Sequence, residues 1–174
     1  YPHRAEMGFF HVPPTRTHLL TRILSDARTQ IYLRPEGQLQ MFVGWREGDI
    51  VAGPESFLTE NPDHYKQTAE YESLARMQQR LSQTLPFMKD GFVHRTYACV
   101  YDYTPDGQPI LDRADDIEGL YFAIGHSGGG FGASPCVGRT MARYIIDGTA
   151  PEEIVWVNLR RFTEGKLVDW SNAG

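Results

Sequence analysis

The residues best suited to chemistry in this 174-residue sequence form one run, Gly125-His126-Ser127-Gly128-Gly129-Gly130-Phe131-Gly132, in which five of eight positions are glycine. A backbone stripped of side chains can approach a flat or anionic ligand closely, so the expected guest is a cofactor of that shape or charge. Ser127 offers a second chemistry, because Gly125-His126-Ser127-Gly128-Gly129 satisfies the G-x-S-x-G pattern of a nucleophile elbow. That architecture needs an acid and then a histidine downstream. His3, His11, His18, His64, His94 and His126 all precede Ser127, which argues against a hydrolase. Gly128, Gly130 and Ala133 also fit G-x-G-x-x-A, with Asp147 beyond, yet a dinucleotide fold needs several βα units after its fingerprint and only residues 134–174 remain. No Lys-Ser or Lys-Thr pair closes the glycine run, which excludes a P-loop.

The elements around this run must position it. Leu120 to Ile124 is short, apolar and aromatic or β-branched, the pattern of a buried strand. Ser134 suits a helix N-cap and Pro135 the first helical position. Val137, Met141, Tyr144 and Ile145 then fall on one face, and Gly148 ends the helix. The glycine run therefore feeds a helix N-terminus, whose free N–H groups and positive dipole end favour negative charge. Upstream, residues 1–24 suggest irregular strands. Alternation predicts a hairpin of Thr29–Arg34 and Gln38–Gly44 about the turn Pro35-Glu36-Gly37. Asn61-Pro62 opens an expected helix whose stripe is Tyr65, Ala69, Leu74, Met77 and Leu81, stopping before Pro86. Phe92–Tyr103 is strand-like, Thr104-Pro105-Asp106-Gly107 is a turn, Ile154–Val157 is a final strand, and the tail from Phe162 is uninformative.

Composition is that of an ordinary globular chain, 41% apolar and 22% charged, with a formal charge of −5 and no basic run. Nucleic acid and anionic membrane surfaces are therefore not expected partners. No apolar stretch approaches the roughly 18 residues a membrane span requires. Cys99 and Cys136 are too few for a disulfide framework or a zinc site, no metal site is expected, and a reducing cytoplasm is the expected compartment.

Three ordered stretches carry a family resemblance: Cys99 through Ile110, Gly119-Leu120-Tyr121-Phe122-Ala123, and Gly125 through Phe131. Together they resemble the C-terminal third of FAD-dependent amine and amino-acid oxidoreductases, the family of D-amino-acid oxidase, glycine oxidase and sarcosine oxidase. The dense match covers residues 99–148, and the hairpin around Tyr32-Leu33-Arg34 resembles the preceding substrate domain. The resemblance implies an α+β fold: a mostly antiparallel substrate-domain sheet with a covering helix, plus the last strand and helix of an FAD-binding domain. Residues 1–98 would be the substrate-domain portion, and 99–174 its end together with the C-terminal piece of the FAD domain. The N-terminal nucleotide-binding half would come from elsewhere, either more of the same polypeptide or a second subunit.

By position, Gly125, His126, Ser127, Gly128, Gly129, Gly130 and Phe131 inherit contact with the isoalloxazine ring of FAD, His126 chiefly by fixing the loop's path. Cys99 falls where sarcosine oxidases link covalently to flavin; a small buried packing residue is the other reading. Cys136, in the helix's first turn, is a candidate for a lowered thiol pKa, with burial as the other reading. Tyr32 and Arg34 are candidates for the carboxylate of a small amine or amino-acid substrate, Arg34 through its planar fork; a surface arginine is the alternative. Gly129 stands where the family often carries histidine, and Gly132 where sarcosine oxidases carry lysine, so the substrate is not carried over, and no catalytic residue is assigned. The rival reading is a non-catalytic binding or assembly module that kept this half-fold and does not bind FAD alone.

Overall fold

The computed structural model describes residues 2–19, 21–45 and 63–168. The chain divides into two compact units, His3–Val100 and one running from Tyr101 onward.

The first unit is built on a five-stranded sheet of β1 (Pro2–His11), β2 (Leu24–Asp26), β3 (Ile31–Glu36), β4 (Gln40–Trp45) and β5 (Phe92–Asp102), in the order β2-β3-β4-β1-β5. Pairing is antiparallel from β2 to β1, with Leu24 opposite Leu33, Leu33 opposite Val43 and Val43 opposite Gly8. Side chains alternate across a strand, so Ile31, Leu33, Met41 and Val43 share one face with Phe10 and Val12. The helix α1 (Tyr71–Thr84) covers that face with Met77 and Leu81; these residues and Met88 are each at most 3% exposed. Leu85 N–H still reaches Leu81 O at 2.8 Å, and Pro86 stops the helix.

Three expectations for this unit need correction. The hairpin turns at Gly37-Gln38-Leu39, with Gly37 at φ +63°, and Pro35 and Glu36 lie inside β3. A proline is tolerated there because β2 pairs with Ile31 to Leu33, so that among the described residues no strand lies beyond β3 at Pro35. Asn61 and Pro62 lie outside the described residues, and Tyr65 and Ala69 precede the helix, which begins only at Tyr71. Long-range bonds hold that lead-in extended: Ala98 N–H donates to Gln67 O (2.9 Å) and Ala69 N–H to Thr96 Oγ1 (3.3 Å). Residues 2–11 form one regular strand rather than irregular pieces.

The second unit pairs β6 (Ile110–Arg113) with β7 (Tyr121–Ile124), Ile110 opposite Ile124. The helix α2 (Gly130–Asp147) packs on them through Met141 and Tyr144, joined by Leu111, Ile154 and Val157. Gly148, at φ +66°, caps it with an N–H bond to Tyr144 O. The helix begins four residues before the expected Ser134 cap, so Pro135 sits inside it. Its missing N–H would have served Phe131 O, and the Ser134 hydroxyl donates to that carbonyl instead, at 2.8 Å. β7 is not buried as expected, since Ile124 is 50% exposed, and Ile145 faces outward at 53%. Ile154–Val157 forms part of a 3-10 turn, Glu152–Val157, not a strand. The α+β class stands, and among the described residues no helix is long and apolar enough to cross a membrane.

Candidate functional site

The glycine run of the second unit is fastened on one side. Asp102 Oδ2 accepts the Gly125 N–H at 2.7 Å, and the Asp102 carbonyl accepts the Ser127 N–H at 3.3 Å. Gly125 holds φ +65°, and a Cβ there would stand 2.5 Å from Thr104 Cγ2, so no other residue fits without displacing that side chain. Ser127 is left-handed at φ +49° and 1% exposed; its hydroxyl accepts the Thr104 N–H (3.2 Å) and donates to Gly125 O (3.3 Å). A non-glycine residue holds such a backbone only when its surroundings fix it, and here the hydroxyl does so. The serine is turned inward and is not presented as a nucleophile. His126 contributes its carbonyl, which accepts the Gly129 N–H at 2.8 Å.

The later part of the run is more open, although a Cβ at Gly128 would meet the Tyr101 ring at 3.3 Å and one at Gly130 the His126 side chain at 3.0 Å. Gly128 and Gly129 are exposed, no heavy atom lies within 4 Å of a Cβ built at Gly132, and Phe131 is 96% exposed. The first regular helical bond of α2 runs from Ala133 N–H to Gly129 O at 3.2 Å, leaving the amides of Gly130, Phe131 and Gly132 ahead of it. An open glycine ribbon leading into free helix N-terminal amides fits a planar group that carries negative charge at its rim.

Behind the ribbon, the turn Thr104–Gln108 is closed by Gly107 N–H on Thr104 O (3.1 Å). Asp106 makes a two-pronged bond with Arg161, Nε to Oδ2 at 2.7 Å and an Nη2 bond to Oδ1 at 3.0 Å, both side chains 1% exposed. Burial pushes the Asp106 carboxyl up, but Arg161 and the amides of Val168 and Gln108 outweigh it and hold the group down at about 2.

In the first unit, Tyr32, Arg34 and Glu36 lie on the sheet face away from α1. Phe9, Phe42 and Tyr97 share that face, their rings 5.3 to 6.1 Å apart. The Arg34 guanidinium lies 4.7 Å over Phe42 and that of Arg95 3.8 Å over Phe9. Glu36 pairs with Arg34 and stands 4.0 Å from Arg95. Burial pushes the Tyr97 phenol up, nearby Cys99 adds to this, and the arginines pull it part of the way back. Cys99 is half-buried and forms no disulfide.

Tyr32, Arg34 and Cys99 thus share the first unit's sheet, and the residues from Gly125 to Phe131 gather in the second. Sequence reasoning missed Arg95 and Tyr97, which only strand pairing brings beside Arg34, and Arg161, which lies at the edge of a tail without pattern. Cys136 is exposed, on the second turn of α2 rather than buried in its first, because the helix starts early.

The profile of the FAD dependent oxidoreductase family (DAO) matches residues 1–144, and the chain belongs to that family. It is 28% identical over 127 residues to sarcosine oxidase subunit beta of Rhodobacter capsulatus, covering 73% of this chain and 30% of that one. The fold is that of L-proline dehydrogenase from P. horikoshii (TM-score 0.76, 23% identity, 96% of this chain and 41% of that one). It also matches glycine oxidase from Geobacillus kaustophilus (TM-score 0.69, 20% identity, 92% and 39%). The chain therefore spans about two-fifths or less of the length of these relatives.

Proposed function

We propose that this chain is the C-terminal, substrate-domain-containing part of an FAD-dependent oxidoreductase that oxidises a C–N bond of a small amine or amino acid. The observation that carries this reading is the glycine ribbon, fastened from behind by Asp102, Thr104 and Ser127 and exposed at Gly128, Gly129, Phe131 and Gly132. When bound, FAD supplies the acceptor for hydride leaving the carbon that bears the amine. The chain's own share is binding and electrostatics. Gly128, Gly129 and Gly130 let backbone lie against the ring, and the free amides opening α2 favour the negative charge of the reduced state. Asp102 keeps the ribbon's path fixed. Arg34, with Tyr32, holds a substrate carboxylate, a group common to the sarcosine, glycine and L-proline that name the relatives. Cys99 is the residue through which a covalent flavin link would form. The grip on adenylate and pyrophosphate belongs to an N-terminal half, in the same polypeptide or in a second subunit.

Gly129→Leu tests this reading. Gly129 has φ −88°, and a Cβ there meets only His126 O at 3.4 Å, so the substitution changes the open side and not the fold. The complete flavoprotein carrying it should lose flavin affinity by about tenfold or more, read from the visible absorbance of the purified protein. Unchanged absorbance would discard the flavin contact. A wild-type protein that stays colourless with added FAD would favour the non-catalytic module.

A further inference from the structure

The mechanism leaves one buried ionic group unused. Arg161 lies beyond residue 144, where the family match ends, in the short 3-10 turn Leu159–Phe162. Its guanidinium is 1% exposed and fully partnered: Nη1 donates to Val157 O and Asn158 O at 2.9 Å each, Nη2 to Gln108 O at 2.9 Å, and the fork grips Asp106. Such a pair is costly to bury, and a hydrophobic replacement is often as stable, so stability alone is a weak reason for its presence.

What it fixes is informative. Asp106 and the Gln108 carbonyl, both held by Arg161, are also the partners of Thr104 Oγ1, at 3.2 and 2.7 Å. Thr104 in turn meets the glycine loop three times: its N–H donates to Ser127 Oγ (3.2 Å), its Oγ1 lies 3.4 Å from that atom, and its Cγ2 occupies the space a Gly125 side chain would need. Ser127 is the left-handed residue from which Gly128, at φ +86°, departs. A continuous chain of contacts within one unit therefore runs from Arg161 to the exposed ribbon.

We infer that Arg161 is a positioning residue for the glycine loop, acting through Asp106 and Thr104. A lysine cannot replace it, because one ammonium does not span the carboxylate and three carbonyls that the planar fork reaches. The consequence for flavin binding rests on the reading above; the consequence for the loop does not.

Thr104→Val is the decisive variant, since it keeps the Cγ2 packing, the Thr104 N–H and the Arg161–Asp106 pair while removing the hydroxyl link. In the full chain, amide hydrogen exchange at Ser127 and Gly129 should rise about tenfold in Thr104→Val, with exchange in β3 and β4 unchanged. Arg161→Lys should do the same, and the double variant should exceed neither single by more than experimental error, because both break one path. Exchange at these amides equal to wild type in Thr104→Val, or a double variant whose effects simply add, overturns the inference. In the complete flavoprotein the same variants should weaken FAD binding about tenfold. Faster exchange with unaltered FAD affinity would support the positioning role and remove the flavin reading instead.

Discussion

The two units bury their apolar residues to different extents. In the sheet unit, α1 seals one face completely, and Phe10, Ile31, Met41, Val43, Met77, Leu81 and Met88 have no exposed surface. In the second unit the covered side, around Met141, Tyr144 and Val157, is matched by an uncovered one: Ile124 is 50%, Ile145 53%, Ile146 81% and Phe131 96% exposed. Scattered apolar residues on a surface need no explanation, but Ile124 and Phe131 adjoin the glycine ribbon, while Ile145 and Ile146 lie in the last turn of α2. Each unit has a core of its own, but in the first the central residues are wholly enclosed, whereas in the second Leu111, Met141, Tyr144 and Ile154 each keep 4–7% of their surface exposed.

The comparison breaks most visibly at Leu81. Leu81→Ala should cost about 2–5 kcal/mol, measured from the denaturant midpoint, because the side chain is wholly enclosed and its loss leaves a cavity. A cost below about 1 kcal/mol would mean that this core is not sealed.

An intermediate effect comes from acid. The Asp106 carboxyl falls from 3.8 to about 2 on folding, so its stabilisation is complete above about pH 4 and is lost as pH drops through about 2. By linkage this amounts to about 2 kcal/mol at most. Denaturant unfolding followed by residue-resolved amide signals at pH 6 and pH 2.5 should show this loss in the second unit, and Asp106→Asn should flatten it. An acid limb that survives Asp106→Asn would assign it to other carboxyls.

The smallest effect sharpens the contrast. Ile146→Ser, on the open side of α2, should change the stability of this chain by no more than about 0.5 kcal/mol. In the complete flavoprotein the same change should lower stability clearly more, read as a melting-temperature difference. Equal small effects in both settings would mean that this face is an ordinary surface.

Much of the fold was legible from the chain. Alternation in Ile31-Tyr32-Leu33-Arg34 and Met41-Phe42-Val43 gives both strands and their faces, because a half-buried strand writes its environment with period two. The spacing of Leu74, Met77 and Leu81 gives α1 for the corresponding helical reason. Boundaries were less legible. Tyr65 and Ala69 fit the helical stripe, yet bonds to Thr96 and Ala98 hold that segment extended, and such bonds join residues about thirty positions apart. Pro135 looked like a helix start because nothing local announces that the Ser134 hydroxyl can stand in for its missing N–H.

For the site, the sequence by itself determined the glycine run, the strand before it and the helix after it, since glycine content and apolar periodicity are local properties. It also placed a cysteine and an arginine within strands. Only the tertiary structure decided which side of the run is open, that Ser127 points inward, that Arg95 and Tyr97 join Arg34 on one sheet face, and that Arg161 is buried against Asp106. Each of these depends on which distant residues meet, and burial of a charge is selected by its partner's geometry, a quantity no single stretch of sequence carries.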